Sequence, residues 1–184
     1  MNLKTLLGTL TGLLIIALGV GAFILFIEFD PRGAAREART RELLENIANL
    51  ENNYPQTPDE LMEVLFDIQT LVYGNYLTDP LLLPGVVQTF RLLLAREFLE
   101  LNPFDSQHRL FLQQLYQRQN EGITQTRIQL VNIIPGEDYT VAHVAQSFTG
   151  VGLTHWRYYL VLENGYWKIQ SWFLANEEFE RVRF

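Results

Sequence analysis

Cysteine is absent from the 184 residues. That excludes disulfides, thiolate zinc sites and a cysteine nucleophile, and it leaves the compartment open. Histidine is scarce, at three residues. None of the spacings among His108, His143 and His155 is a metal-ligand motif. Positive charge is thin where nucleic acid would need it. Beyond Arg41 there are 9 basic and 18 acidic residues, a net of −9. Phosphate backbones demand clustered cations, so no nucleic-acid partner is expected. No internal repeat, no low-complexity segment and no catalytic or cofactor-binding signature occurs, so the chain reads as a non-enzyme without a cofactor.

What is present begins with an apolar run. Residues 5–27 carry no charge over 23 positions, enough to cross a bilayer core, which needs roughly 20. The run is too long for a signal-peptide core, and apolar sequence continues past Ala17-Leu18-Gly19 and Val20-Gly21-Ala22, so an uncleaved membrane helix is expected. Gly8, Gly12 and Gly19 fall near one face of that helix, where small residues admit a neighbouring helix. Arg32, Arg36, Arg39 and Arg41 come after the run, and only Lys4 and the terminal amine precede it. Counting Lys and Arg alone favours a cytoplasmic domain. A lysine-bearing tail before an apolar run is also the pattern of a signal anchor that exports the domain behind it.

Residues 34–52 read as a charged amphipathic helix with Leu43, Leu44, Ile47 and Leu50 as its apolar stripe. Its arginines lie where anionic lipid would be, and it reads mainly as a solvated juxtamembrane stalk. Thr57-Pro58-Asp59-Glu60 starts the next helix as a capping box with proline at the first helical position. Leu61, Leu65, Ile68 and Val72 continue at helical spacing, and Gly74 or Asn75 ends it. Pro84-Gly85 interrupts the next segment. Val86–Leu101 reads as one helix, stopped by Asn102-Pro103, and Asp105 is placed as the cap of another over residues 106–119.

From Gly122 the period changes. Residues 123–134, 139–149, 153–163 and 166–175 read as four strands, rich in β-branched and aromatic residues. Asn164-Gly165 between apolar runs is a type I′ hairpin signal, because both central residues of that turn need φ > 0. Strict alternation pairs Tyr159 with Gln170, Arg157 with Trp172, Tyr158 with Ser171 and Trp156 with Phe173. It places Val144, Phe148, Trp156, Tyr158, Leu160, Trp167, Ile169 and Phe173 on the core face. His143, His155, Arg157, Tyr159, Gln170 and Trp172 share the wetter face. Tyr, Trp and Arg dominate binding hot spots, so this second set is the candidate partner surface, unless another element such as the 34–52 helix covers it.

Helices first, then an antiparallel meander, is an α+β layout. With the closing YYLVLENGYWKIQSW it resembles the cystatin-like cone of the nuclear-transport-factor-two-like superfamily, over residues 57–175. Gly165, Trp167, Lys168 and Ile169 match that superfamily's last hairpin. The resemblance implies helices packed on a four-stranded cone-like sheet. It is weak for function, since one fold hosts enzymes, carriers and scaffolds. Members with one N-terminal membrane helix look like assembly-scaffold components of type IV secretion systems or membrane proteins associated with lipid import, with domains outside the cytoplasm. Enzymes of the superfamily place an Asp, His or Tyr inside the cone, which makes Asp138, His143, His155, Tyr158 and Tyr159 the positions to inspect.

The chain thus reads as an anchor over residues 1–30, a juxtamembrane helix and linker over 31–55, and an α+β domain over 56–184. Its expected role is non-catalytic binding or scaffolding at a membrane, with a protein partner or a second copy. Two alternatives stand beside it. One is a small-molecule-binding or isomerase-like domain using the cone interior. The other is an accessory subunit of a large membrane complex.

Overall fold

The computed structural model describes residues 31–48, 50–77 and 79–175. The apolar run with Gly8, Gly12 and Gly19, and the segment 176–184, lie outside the described residues. Two compact units divide the chain, Met1–Ala38 and Arg39–Phe184. Of the first, only the start of a helix is described. The second holds the sheet and the remaining helices.

The helices are α1 (Pro31–Ala48), α2 (Pro58–Tyr73), α3 (Leu83–Leu92), α4 (Arg96–Leu101) and α5 (Phe104–Glu121), with a 3₁₀ turn at Pro80–Leu82. The strands are β1 (Gln125–Pro135), β2 (Thr140–Phe148), β3 (Gly152–Glu163) and β4 (Tyr166–Leu174). They form one antiparallel sheet in the order β1-β2-β3-β4. The class is α+β, helices against a four-stranded meander. Among the described residues no helix is long and apolar enough to cross a membrane.

Within the second unit the α1 stripe is core. Leu43, Ile47 and Leu50 are buried, and Leu44 packs beside them. Thr40 Oγ1 donates to the Tyr76 carbonyl at 3.1 Å, and Asn46 Nδ2 to Asp67 at 2.8 Å. Residues 39–48 thus pack by α2 and are not a solvated stalk, nor do they cover the partner surface. Leucines at helical spacing bury against any complementary face, which sequence alone cannot name.

The α2 start is the predicted capping box. Thr57 Oγ1 accepts from the Glu60 N–H, and the Glu60 carboxylate accepts from the Thr57 N–H. Its inner face, Leu61, Met62, Leu65, Ile68, Leu71 and Val72, is the middle of the core. The next helix departs from expectation. Pro84 and Gly85 lie in the first turn of α3, where a missing N–H costs nothing. The 86–101 run is two helices, because β4 takes the backbone between them. Ile169 donates to the Leu93 carbonyl at 2.8 Å, and Ala95 donates to the Ile169 carbonyl at 2.9 Å. Unpaired strand edges seek partners, and this bridge pairs the β4 edge at Ile169.

The Leu92 carbonyl, at the C-terminal end of α3, accepts from Lys168 Nζ at 2.6 Å and from the Tyr54 hydroxyl at 3.2 Å. Lys168 also sits 4.1 Å over the Tyr54 ring. Burial lowers the Lys168 pKa, opposed by Glu163. Asp105 is not the cap of α5. It lies in the first turn, after Pro103 at the cap position. The helix ends at Gly122, left-handed at φ +66°. Near that end the Arg118 guanidinium is 4.5 Å from the Tyr73 ring and 4.4 Å from the Phe148 ring.

The Asn164-Gly165 turn has φ of +53° and +83°, as type I′ requires. Register holds from Glu163↔Tyr166 to Leu160↔Ile169 and then slips. Gln170 is an extra residue in β4, so Tyr159 pairs with Ser171, Tyr158 with Trp172, Arg157 with Phe173 and Trp156 with Leu174. A bulge exchanges the faces of everything beyond it. Trp172 turns to the helices, and Phe173 turns away from them with 59% of its surface exposed.

Candidate functional site

The expected partner surface is brought together in part. His143, His155, Arg157 and Tyr159 share the sheet face away from the helices, by the pairings His143↔Arg157, Ala145↔His155 and Val141↔Tyr159. Trp172 does not join them. Its ring centroid lies 5.0 Å from Phe98 and 6.2 Å from both Phe90 and Tyr158, between sheet and helices. An indole gains more from burial than a phenyl of smaller area, and the bulge allows that exchange. Gln170 sits at the bulge, its Nε2 3.5 Å from the Glu97 carboxylate, at the sheet edge.

The aromatics on that face are different ones. Tyr139, Tyr159 and Phe173 form an edge-to-face ladder, with centroids 5.2 Å and 5.9 Å apart. Sequence reading missed Tyr139, in the β1–β2 connection, and Phe173, hidden by the bulge. Arg127 and Gln129 pair with Ser147 and Ala145 and extend the face toward β1. His143 titrates below its ordinary range. Burial lowers it first, then the positive charges of Arg157 and His155.

A second site lies between sheet and helices. It is a cleft of about 150 Å³ whose walls include Phe90, Phe98, Phe111 and Trp172, and whose rim is Leu110. Tyr158, one of the five catalytic candidates, lines it. Asp138, His143, His155 and Tyr159 do not. Asp138 is exposed in the β1–β2 turn, and the other three are on the far face. The polar lining is neutral: Gln69, Tyr73, Asn102, Gln107, Gln114 and Tyr158. A proton-abstracting base would have to reach substrate in this cleft, and the lining has no carboxylate or imidazole.

The cleft's polar atoms are tied to a buried amide relay. Gln146 Nε2 donates to the Gln125 and Gln69 side-chain oxygens, at 2.5 Å and 3.2 Å. Gln125 Nε2 donates to Thr70 Oγ1 at 3.2 Å, and Gln69 Nε2 to the Tyr158 hydroxyl at 2.9 Å. Elsewhere in the lining, Tyr73 donates to Gln114 Oε1 at 2.9 Å, and Arg91 to Gln107 Oε1 at 2.5 Å. Burial pushes the Tyr158 phenol up to about 12, against the opposing pull of the Gln69 hydrogen bond, and it also raises Tyr73. Both stay protonated at neutral pH. Among the described residues no acid and histidine side chains group as a metal site; His108 stacks on Phe104 instead.

The profile of a family described as "Domain of unknown function (DUF6715)" matches residues 1–172. The chain belongs to the DUF6715 family. Its match takes in the apolar run as well as the helices and nearly all of the sheet. No curated protein sequence matches this DUF6715 chain. Among solved structures, it is similar to the intermembrane space region of the chloroplast protein ARC6, at 8% identity and a TM-score of 0.37, over 65% of this chain and 94% of that one.

Proposed function

We propose that this DUF6715 protein is a membrane-anchored, non-catalytic binding domain that holds an acidic protein partner on the open face of its sheet. One observation carries the reading. The Tyr139–Tyr159–Phe173 ladder, exposed at both ends and half-buried at Tyr159, lies beside Arg157, His143 and His155, within a chain of net charge −7. Arg127, from β1, is the second guanidinium of this face beside Arg157. The nearest carboxylate along β3, Glu163, is at the far end and accepts from the Arg96 N–H at 3.1 Å. A cationic, aromatic patch on an acidic protein selects a partner of opposite sign, with aromatic anchors supplying contact area.

Residues 5–27 supply the anchor in this reading, on their length and lack of charge. Gly8, Gly12 and Gly19 are where a second membrane helix would approach. The arginines after the run favour a cytoplasmic domain, and the resemblance to exported scaffolds favours the other side. The cone-like description and the tie to the nuclear-transport-factor-two-like superfamily rest on the helices-then-meander order and the closing hairpin.

The test is a photo-crosslinking phenylalanine analogue at position 159 in the full chain, with a control at exposed Leu110. Crosslinks from position 159 should map to an acidic stretch of one protein and disappear with Arg157→Glu. Crosslinks that match the control, or that survive Arg157→Glu, overturn the reading.

A further inference from the structure

The cleft lies on the other side of the sheet and is independent of the open face. Its hydrogen-bonding groups are unequally used. The Tyr158 oxygen accepts from Gln69, and no described acceptor takes its own proton. Gln114 accepts from Tyr73 through its oxygen, and Gln107 from Arg91 through its oxygen. In neither is the amide nitrogen engaged with a described protein group. A phenol hydroxyl has one proton to give and a primary amide has two. Gln146 donates in two directions and orients the Gln69 oxygen toward itself, so the Gln69 nitrogen points to Tyr158. The cleft therefore presents unspent donors and lacks an ionised acceptor.

We propose that this cleft is a binding site for a small neutral ring compound bearing a carbonyl or ether oxygen. The size comes from the volume. An apolar cavity of about 150 Å³ accommodates one benzene-sized ring. The aromatic walls of Phe90, Phe98, Phe111 and Trp172 favour a flat ligand. The polarity comes from the donors, since a donor that loses water when a ligand enters is satisfied only by an acceptor on that ligand. Charged ligands are disfavoured, because an ion entering this lining leaves water without meeting an opposite charge there.

The experiment titrates the full chain in detergent micelles with four probes of similar shape: acetophenone, ethylbenzene, benzoate and benzylamine. Amide shifts in NMR spectra report binding. Acetophenone should bind tightest, with shifts centred on Gln69, Gln114 and Trp172. Tyr158→Phe should weaken acetophenone roughly tenfold, the value of one hydrogen bond, and leave ethylbenzene unchanged. Leu110→Trp, on an exposed rim position, should block every probe without lowering the melting temperature. This arm decides the matter if Tyr158→Phe fails to fold. The proposal is overturned if ethylbenzene or either charged probe binds as well as acetophenone. It is equally overturned if Leu110→Trp leaves binding intact, or if no probe shifts the spectrum at millimolar concentration.

Discussion

Gln146 has the most demanding position of any single side chain described. It is 4% exposed, yet it feeds hydrogen bonds to Gln69 and Gln125. A buried amide is stable only when its partners are, and removing one member orphans the others. Gln146→Leu keeps the volume close and strips the donor from both neighbouring oxygens. It should lower the unfolding free energy by about 2 kcal/mol. Urea unfolding with an unchanged slope would show it; a neutral result would mean that the relay is not sealed from water. Arg118, between the Tyr73 and Phe148 rings, illustrates the same dependence on neighbours. In sequence it is one basic residue near a helix end. Its two aromatic faces come from α2 and β2, which only folding brings together.

At the scale of elements, local chemistry decides the starts and tertiary pairing decides the breaks. Thr57, Pro58 and Glu60 are neighbours in sequence, so the α2 cap is readable and is formed as read. Thr57→Ala should cost about 1 kcal/mol, measured as a lower chemical-denaturation midpoint. Thr57→Ser should cost much less, since serine restores the acceptor. The 86–101 run shows the opposite case. Its periodicity is helical throughout, but Leu93–Ala95 leave the helix to bond Ile169, some 75 positions away. No local signal announces that. The β4 bulge is of the same kind. Strict alternation put Trp172 outward, and one extra residue at Gln170 put it inward, against Phe90 and Phe98.

For the whole molecule, the open sheet face couples stability to pH. The His143 pKa in the folded chain lies below the ordinary 6.5. As pH falls, the unfolded chain therefore takes up the proton first. The His143 contribution is fully present above about 6.5 and is lost as pH falls through the folded value. Stability measured across that window should decline on acidification, and His143→Gln should flatten this part of the curve. An unchanged slope in the variant would show that neither burial nor the charges of Arg157 and His155 depress the imidazole's titration. The same cluster ties this prediction to the proposed docking face, where an acidic partner would relieve the crowding.

The amino-acid sequence determined the class and the order of elements: helices, then four strands, with an Asn-Gly hairpin and a threonine cap. Those features depend on residues within a few positions of one another, and backbone sterics and periodicity suffice for them. Tertiary structure decided which faces meet. It buried the α1 stripe, split the 86–101 helix, moved Trp172 into the cleft and gathered Gln69, Gln125, Gln146 and Tyr158 into one relay. Each of these balances local preference against burial or backbone pairing with a distant segment, and that balance exists only when the segments are packed together.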